Sequence, residues 1–211
     1  MNLEVIAAKD ISPLQPAQHA GAHEIVIAAA CPFFPQWEWK CLFETLDRVG
    51  WKVREKPVKV KILGEKFRLD WDKPVDVQYL GLHGQKDTIE ILGTIDILYC
   101  PQVFSREMET EVRSQLPAEL LYFLASGRPI VLHAPEYAAA TQLLKPKEAA
   151  AFSQSSSPVN IELYNCLDRL TFDSDFYSSI TKNARELFDN NFESISKRPT
   201  GQTRAFIQES A

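Results

Sequence analysis

The most constraining feature of the sequence is a set of short apolar runs separated by stretches of helical period. Glu24–Ala30 (EIVIAAA), Asp96–Cys100 (DILYC) and Ile130–Leu132 carry no polar alternation. Strands of that kind are covered on both faces, which is the pattern of a parallel sheet. Val58–Leu63 and Asp76–Leu80 complete a set of five strands. Parallel neighbours need crossover connections, and right-handed crossovers place helices on both faces. The helical pieces are Gln36–Val49, Asp87–Gly93, Leu116–Ser126, Pro135–Leu144, Asn160–Leu170 and Phe176–Asn190. The expected architecture is α/β: a doubly wound Rossmann-like parallel sheet with helices on both faces.

A length of 211 residues fits one such domain rather than two. Residues 1–22, with Pro13, Pro16 and Gly21, read as a linker. Residues 23–192 form the domain, and 193–211 form a polar tail. The net charge of −5 argues against nucleic acid as a partner. The longest nearly apolar run, Ile25 to Phe34, is interrupted by Pro32 and is too short to span a bilayer. Cys31, Cys41, Cys100 and Cys166 form no CxxC pair, and Cys31 and Cys100 read as buried thiols at strand ends. The amino-terminal residues lack a basic segment followed by an apolar core. A cytoplasmic setting, no structural metal and no resident cofactor are the expectations.

In a doubly wound sheet, ligands bind beyond the carboxyl ends of the strands. Those ends are Ala30–Pro35, Gly64–Lys66, Gly81–Gln85, Pro101–Arg113 and His133–Tyr137, and Pro101–Arg113 reads as a long loop. The first strand is followed by ACPFFP rather than GxGxxG, so the pyrophosphate turn of a dinucleotide-dependent oxidoreductase is missing and that reading is disfavoured. The best-defined segment is Ser114–Tyr137. Pro117 suits a first helical turn, Gly127 a left-handed helix end, and Pro129 prevents the helix from resuming.

The order GTIDILYCPQVFS followed by LPAELLYFLASGRPI, with Gly64 and Leu80-Gly81 upstream, resembles the C-terminal, donor-binding domain of GT-B fold retaining glycosyltransferases of group 1. The resemblance runs from about Glu24 to Asn191. It implies a single half of a two-domain enzyme, a nucleotide-sugar donor as substrate, and a separate amino-terminal acceptor-binding domain or chain. Residues 1–22 would then hold what remains of the interdomain crossing.

The resemblance also assigns candidate donor-binding residues. Lys40 falls at a phosphate-binding lysine, while the family's arginine position falls near Phe34 or Pro35, where no Arg stands. Gly81 and His83 fall where backbone groups approach the base. Pro101 ends the strand before the long loop. Counting back from Gly127, Ser114 and Tyr122 fall at the family's two glutamates and Glu119 at its lysine. Glu119 lies one turn from Tyr122, so a carboxylate remains within reach of the pocket. His133 follows the fifth strand, and a phosphate or sugar contact and a structural role both remain open for it. No residue is assigned to catalysis. Asp70–Asp72 and Asp173–Asp175 are Asp-x-Asp triplets, the second reading as a helix cap. The function implied is a sugar-transferring donor domain; the alternative is a non-catalytic binding or assembly module descended from one.

Overall fold

The computed structural model describes residues 11–20, 23–30, 35–66 and 76–193. Its strands are β1 (Ile25–Ala30), β2 (Lys52–Val53), β3 (Lys56–Leu63), β4 (Val77–Gly81), β5 (Ile97–Pro101), β6 (Ile130–His133) and β7 (Ala151–Ser153). Its α-helices are α1 (Gln36–Arg48), α2 (Gln85–Leu92), α3 (Glu109–Ser114), α4 (Leu120–Ala125), α5 (Ala139–Leu144), α6 (Ile161–Phe172) and α7 (Ser174–Phe188).

β1 is central because it is apolar on both sides. It pairs in parallel with β3, from Ile25 opposite Val58 to Ala30 opposite Leu63, and with β5 on its other edge. β4 extends the sheet beyond β3, and β6 and β7 extend it beyond β5, all in parallel. The parallel order is therefore β4-β3-β1-β5-β6-β7. The chain starts in the middle, builds out to one edge, then returns and builds to the other, which is the doubly wound order. β2 makes a two-residue antiparallel ladder with the start of β3.

Successive β1 side chains enter opposite layers. Ile25, Ile27 and Ala29 pack under α1 and α6 with Trp39, Leu42, Phe43, Leu163 and Leu167. Val26 and Ala28 pack on the other face with Leu92, Phe123, Leu124 and Leu144 from α2, α4 and α5. α7 serves both layers: Tyr177 and Ile180 belong to the first, and Ala184, Leu187 and Phe188 to the second. It therefore crosses beneath the amino-terminal ends of the strands, where the Tyr177 hydroxyl donates to the Asp96 carbonyl at 2.7 Å. Asp96 also closes the start of the sheet, its Oδ2 accepting from the Val26 amide at 2.8 Å.

Residues 11–20 contain neither helix nor strand, as a linker would, yet they are docked. Ile11 and Ala20 are buried in opposite layers. The Leu14 amide donates to the Ala125 carbonyl and the Ala17 amide to the Gly127 carbonyl, each at 2.8 Å. Arg185 donates to the Leu14 carbonyl and Thr181 to that of Ala17. This strap runs beside α7 beneath the sheet. Leu3–Ala8 and the 194–211 stretch lie outside the described residues.

Several element bounds differ from the sequence expectation. The Pro101–Arg113 stretch holds a short 3₁₀ turn at Arg106–Met108 and the start of α3. The helix expected from Leu116 begins at Leu120, because Pro117 disfavours helical backbone at the residue before it and opens a turn closed by the Leu120 amide on the Pro117 carbonyl at 3.0 Å. β2 and β7, two and three residues long, carry too few side chains to show a period. Among the described residues, no helix is long and apolar enough to cross a membrane.

Candidate functional site

The order of strands reverses between β1 and β5, so the topological switch point lies beyond their carboxyl ends. A cavity of about 460 Å³ occupies that place, formed by the start of α1, the segment after β5, and the β7–α6 connection. Trp37, Phe104 and Met108 give it apolar walls, and Glu38, Ser105 and Ser156 give it polar groups. The Trp37 indole N–H donates to the Ser156 carbonyl at 3.0 Å, which fixes the ring while leaving it 45% exposed.

Glu38 is the unusual member. It is the third residue of α1 and only 2% exposed. Its Oε1 accepts from the Phe104 amide at 2.9 Å, tying the segment after β5 to the helix. Burial pushes its carboxyl above the usual range, and that backbone N–H draws it partly back. The resemblance assigned Glu38 no role. One signal was present: Glu38, Leu42 and Thr45 recur at helical spacing on one buried stripe, where a carboxylate needs a partner.

Behind Glu38 lies a buried polar relay. The Tyr99 hydroxyl is 2.8 Å from the Glu38 carbonyl and 2.7 Å from His133 Nδ1. His133 Nε2 is 2.8 Å from the Ser155 carbonyl. Asn160 Nδ2 donates to that carbonyl at 2.6 Å and to Ser153 Oγ at 2.9 Å, while Asn160 Oδ1 caps α6 by accepting from the Leu163 amide. Burial holds His133 below its ordinary value. Its Nε2 also stands 3.2 Å from Asn160 Nδ2, so both ring nitrogens are engaged.

The residues named from the sequence divide into separate groups. His133 is fully buried, with both ring nitrogens engaged in the relay and its ring 5.1 Å from that of Phe104. It lies against Phe104, a wall of the cavity, and its nitrogens serve the protein's own groups. Pro101 is buried at the end of β5, with its carbonyl accepting from the Gln102 side chain. Gly81, at φ +82°, ends β4, and its carbonyl accepts from the Gly64 amide at 2.9 Å. His83 is exposed in the same turn, its Nε2 2.9 Å from the Leu80 carbonyl. Tyr122 is half-buried on α4 and hydrogen-bonds Gln85 at the start of α2; burial raises its phenol. Gly81, His83 and Tyr122 thus gather around the β4–α2 turn.

Glu119, at 5% exposure, sits just before α4 near Cys100, whose thiol burial and the Glu119 charge raise well above its usual value. Lys40 lies against the cavity wall residue Trp37, and Ser114 lies apart. Lys40 is exposed, with Nζ 5.9 Å from the Trp37 ring centroid. Ser114 is exposed and returns its hydroxyl to the Thr110 carbonyl at 2.7 Å. Two further cations at this end are engaged locally: Lys66 lies over Tyr79, and Arg113 binds Glu109 and stacks on Tyr137.

Asp173 caps α7, accepting from the Phe176 amide at 2.9 Å, and that bond lowers its carboxyl. Cys31, Asp70 and Asp72 lie outside the described residues. Among the described residues, no group of three or more His, Cys, Asp or Glu side chains is placed to hold a metal ion.

No protein-family model matches the chain, and no curated protein matches it in sequence. Solved structures do match in shape. The C-terminal domain of a glycosyl transferase group 1 family protein, LpcC from Francisella tularensis, is 15% identical, with a TM-score of 0.60 over 89% of this chain and 98% of that domain. Sucrose-phosphate synthase from Thermosynechococcus elongatus is 12% identical, with a TM-score of 0.62 over 88% of this chain and 49% of the synthase. An α,α-trehalose 6-phosphate synthase from Burkholderia multivorans is 12% identical, with a TM-score of 0.56 over 83% of this chain and 41% of that enzyme. The chain spans less than half the length of these synthases. Strand order, layer assignment and these matches agree: the chain has the fold of the C-terminal half of GT-B glycosyltransferases.

Proposed function

We propose that the protein is the nucleotide-sugar-binding half of a glycosyltransferase, which works with an acceptor-binding domain or chain supplied separately. What carries the reading is the placement of the open cavity at the switch point of a sheet whose shape follows a group 1 glycosyl transferase domain over nearly its whole length. Transfer of a sugar from a nucleotide builds negative charge on the departing phosphates and positive character at the sugar carbon. Backbone amides of the turns after β3 and β4 are the groups this edge offers to the nucleotide. Gly81 and Gly84 allow a base to approach closely, since the space beside them is open. Tyr122 borders the same turn through Gln85.

Isothermal calorimetry of the full chain with UDP, GDP, ADP and their hexose conjugates tests the reading. Saturable binding of one nucleotide family, weakened at least about tenfold by Gly81→Val, is the expected result. Heat indistinguishable from dilution for every nucleotide at millimolar concentration would overturn it.

A further inference from the structure

A second and larger recess lies at the β7 end of the sheet. β7 is an edge strand, paired only with β6 among the described residues. Beside it, α6, the start of α7 and the turn before β7 enclose a groove of about 930 Å³. It shares no lining residue with the cavity at Trp37. Phe152, Phe176 and Ile180 give it apolar walls. Its volume is near the top of the range of small-molecule sites and has room for a short extended segment. Four carboxylates line it, Glu148, Glu162, Asp173 and Asp175, against two cations, Lys145 and Arg169. Both cations are engaged, Lys145 with Glu136, and Arg169 with Asp173 and the Phe176 ring. Glu148 and Asp175 are exposed, and neither pairs with a cation among the described residues. An apolar recess with surplus negative charge fits an apolar segment that carries positive charge.

One stretch of the chain has that chemistry. Arg204-Ala205-Phe206-Ile207 lies within 194–211, where Lys197, Arg198 and Arg204 stand against Glu209. The other terminal stretch, 1–10, is apolar at Leu3–Ala8 but carries Glu4 and Asp10 against Lys9. The tether permits the match as well. α7 borders the groove at Phe176, and the helical turns from there to Glu193 rise about 25 Å. The chain from Glu193 to Arg204 spans up to about 36 Å when extended, enough to return. Asn183 on α7 donates to the Glu148 carbonyl at 3.2 Å, so the flank of α7 leads onto the rim of the groove.

We infer that the groove beside β7 is the docking site of Arg204–Ile207 of the same chain, with Phe206 and Ile207 against Phe152 and Phe176 and the Arg204 guanidinium toward Glu148 and Asp175. A segment docked there covers the free side of β7, and an uncovered strand edge is a template for pairing with another chain. The inference is independent of nucleotide binding, because none of the groove residues is assigned to the nucleotide.

The test measures effective concentration in the full chain, in a Cys166→Ser background because Cys166 lines the groove. Gln208→Cys is paired with Ser179→Cys on α7 or Asn165→Cys on α6, both exposed positions that line the groove. Glu90→Cys on α2, an exposed position outside the groove, is the reference partner. Each chain is equilibrated in glutathione buffers, and the disulfide is located and quantified by mass spectrometry. At least one groove pair should reach an effective concentration about tenfold or more above the reference pair. Adding Phe206→Asp or Arg204→Glu should return it to the reference value. Glu148→Lys with Asp175→Lys should do the same without altering the segment. Groove pairs no higher than the reference would overturn the inference, and so would an advantage that survives Phe206→Asp and Arg204→Glu. Disulfides that link two chains in preference would give the groove to a second copy and overturn docking within one chain.

Discussion

At the scale of single residues, the Tyr99 hydroxyl donates to the Glu38 carbonyl at 2.8 Å and stands 2.7 Å from His133 Nδ1. Protonating His133 would make both of its nitrogens donors, at the cost of a buried cation. Because the folded-state value is depressed below 6.5, the unfolded chain binds more protons around and below that pH. Stability is then fully present above pH 6.5 and falls as pH drops through the folded value. His133→Gln should flatten that part of a pH–melting curve, and an unchanged slope would exclude His133 as its source. Glu38 has the opposite sign, since its folded value is raised. Its contribution is complete below pH 4.5 and is lost as pH rises through the elevated value. Glu38→Gln keeps an oxygen for the Phe104 amide and removes the buried charge. It should match the parent near pH 4 and exceed it by about 1 kcal/mol at pH 8 in urea denaturation.

At the scale of elements, two glycines make the contribution of the strap measurable. Gly127 has φ +69°, and a Cβ there would run into the Gln15 backbone carbonyl. Both the left-handed conformation and the close backbone oppose a side chain. Gly93 has an ordinary helical backbone, and its added Cβ would meet most closely the Leu14 side-chain end, which can rotate away, with the Ile89 and Glu90 carbonyls next at 3.3 Å. Gly127→Ala should therefore cost about 2–3 kcal/mol and Gly93→Ala about 1 kcal/mol or less. Equal losses would mean that the strap yields easily. Asn160 joins three elements, capping α6 while donating to β7 and to the segment after it. Asn160→Ala should cost about 2–4 kcal/mol, more than a lone cap, because buried acceptors lose their donor too. Gly127 and the Pro117 turn were legible as punctuation in the sequence. The four-residue delay in the start of α4 was not, because it depends on how the turn packs.

At the scale of the whole molecule, the two faces of the sheet are joined beneath its amino-terminal edge by α7 and the strap. Ile11 packs with one layer, while Ala17 and Ala20 pack with the other. Removing residues 1–20 should leave Arg185 and Thr181 without their backbone acceptors and lower the melting temperature by about 5 °C or more. A truncated chain that melts with the parent would show that the strap only decorates the core. The opposite edge is the one where the strands finish. It divides into a glycine-turn side around Gly81, His83 and Tyr122 and a carboxylate–aromatic side around Glu38 and Trp37.

What the sequence determined by itself is the class and order of the layers. Uninterrupted apolar runs such as IVIAAA and ILYC bury both faces, and helical stripes such as Trp39, Leu42, Phe43 and Leu46 must cover them. That information is local and periodic, so it survives without coordinates. Tertiary structure alone decided which polar side chains face the cavity and which are used internally. His133 and Glu38 lie far apart in the chain, and only the pairing of β5 with β6 under α1 puts Tyr99 between them. The desolvation that raises one group and lowers the other depends on every neighbour at once, and no spacing in the sequence records it.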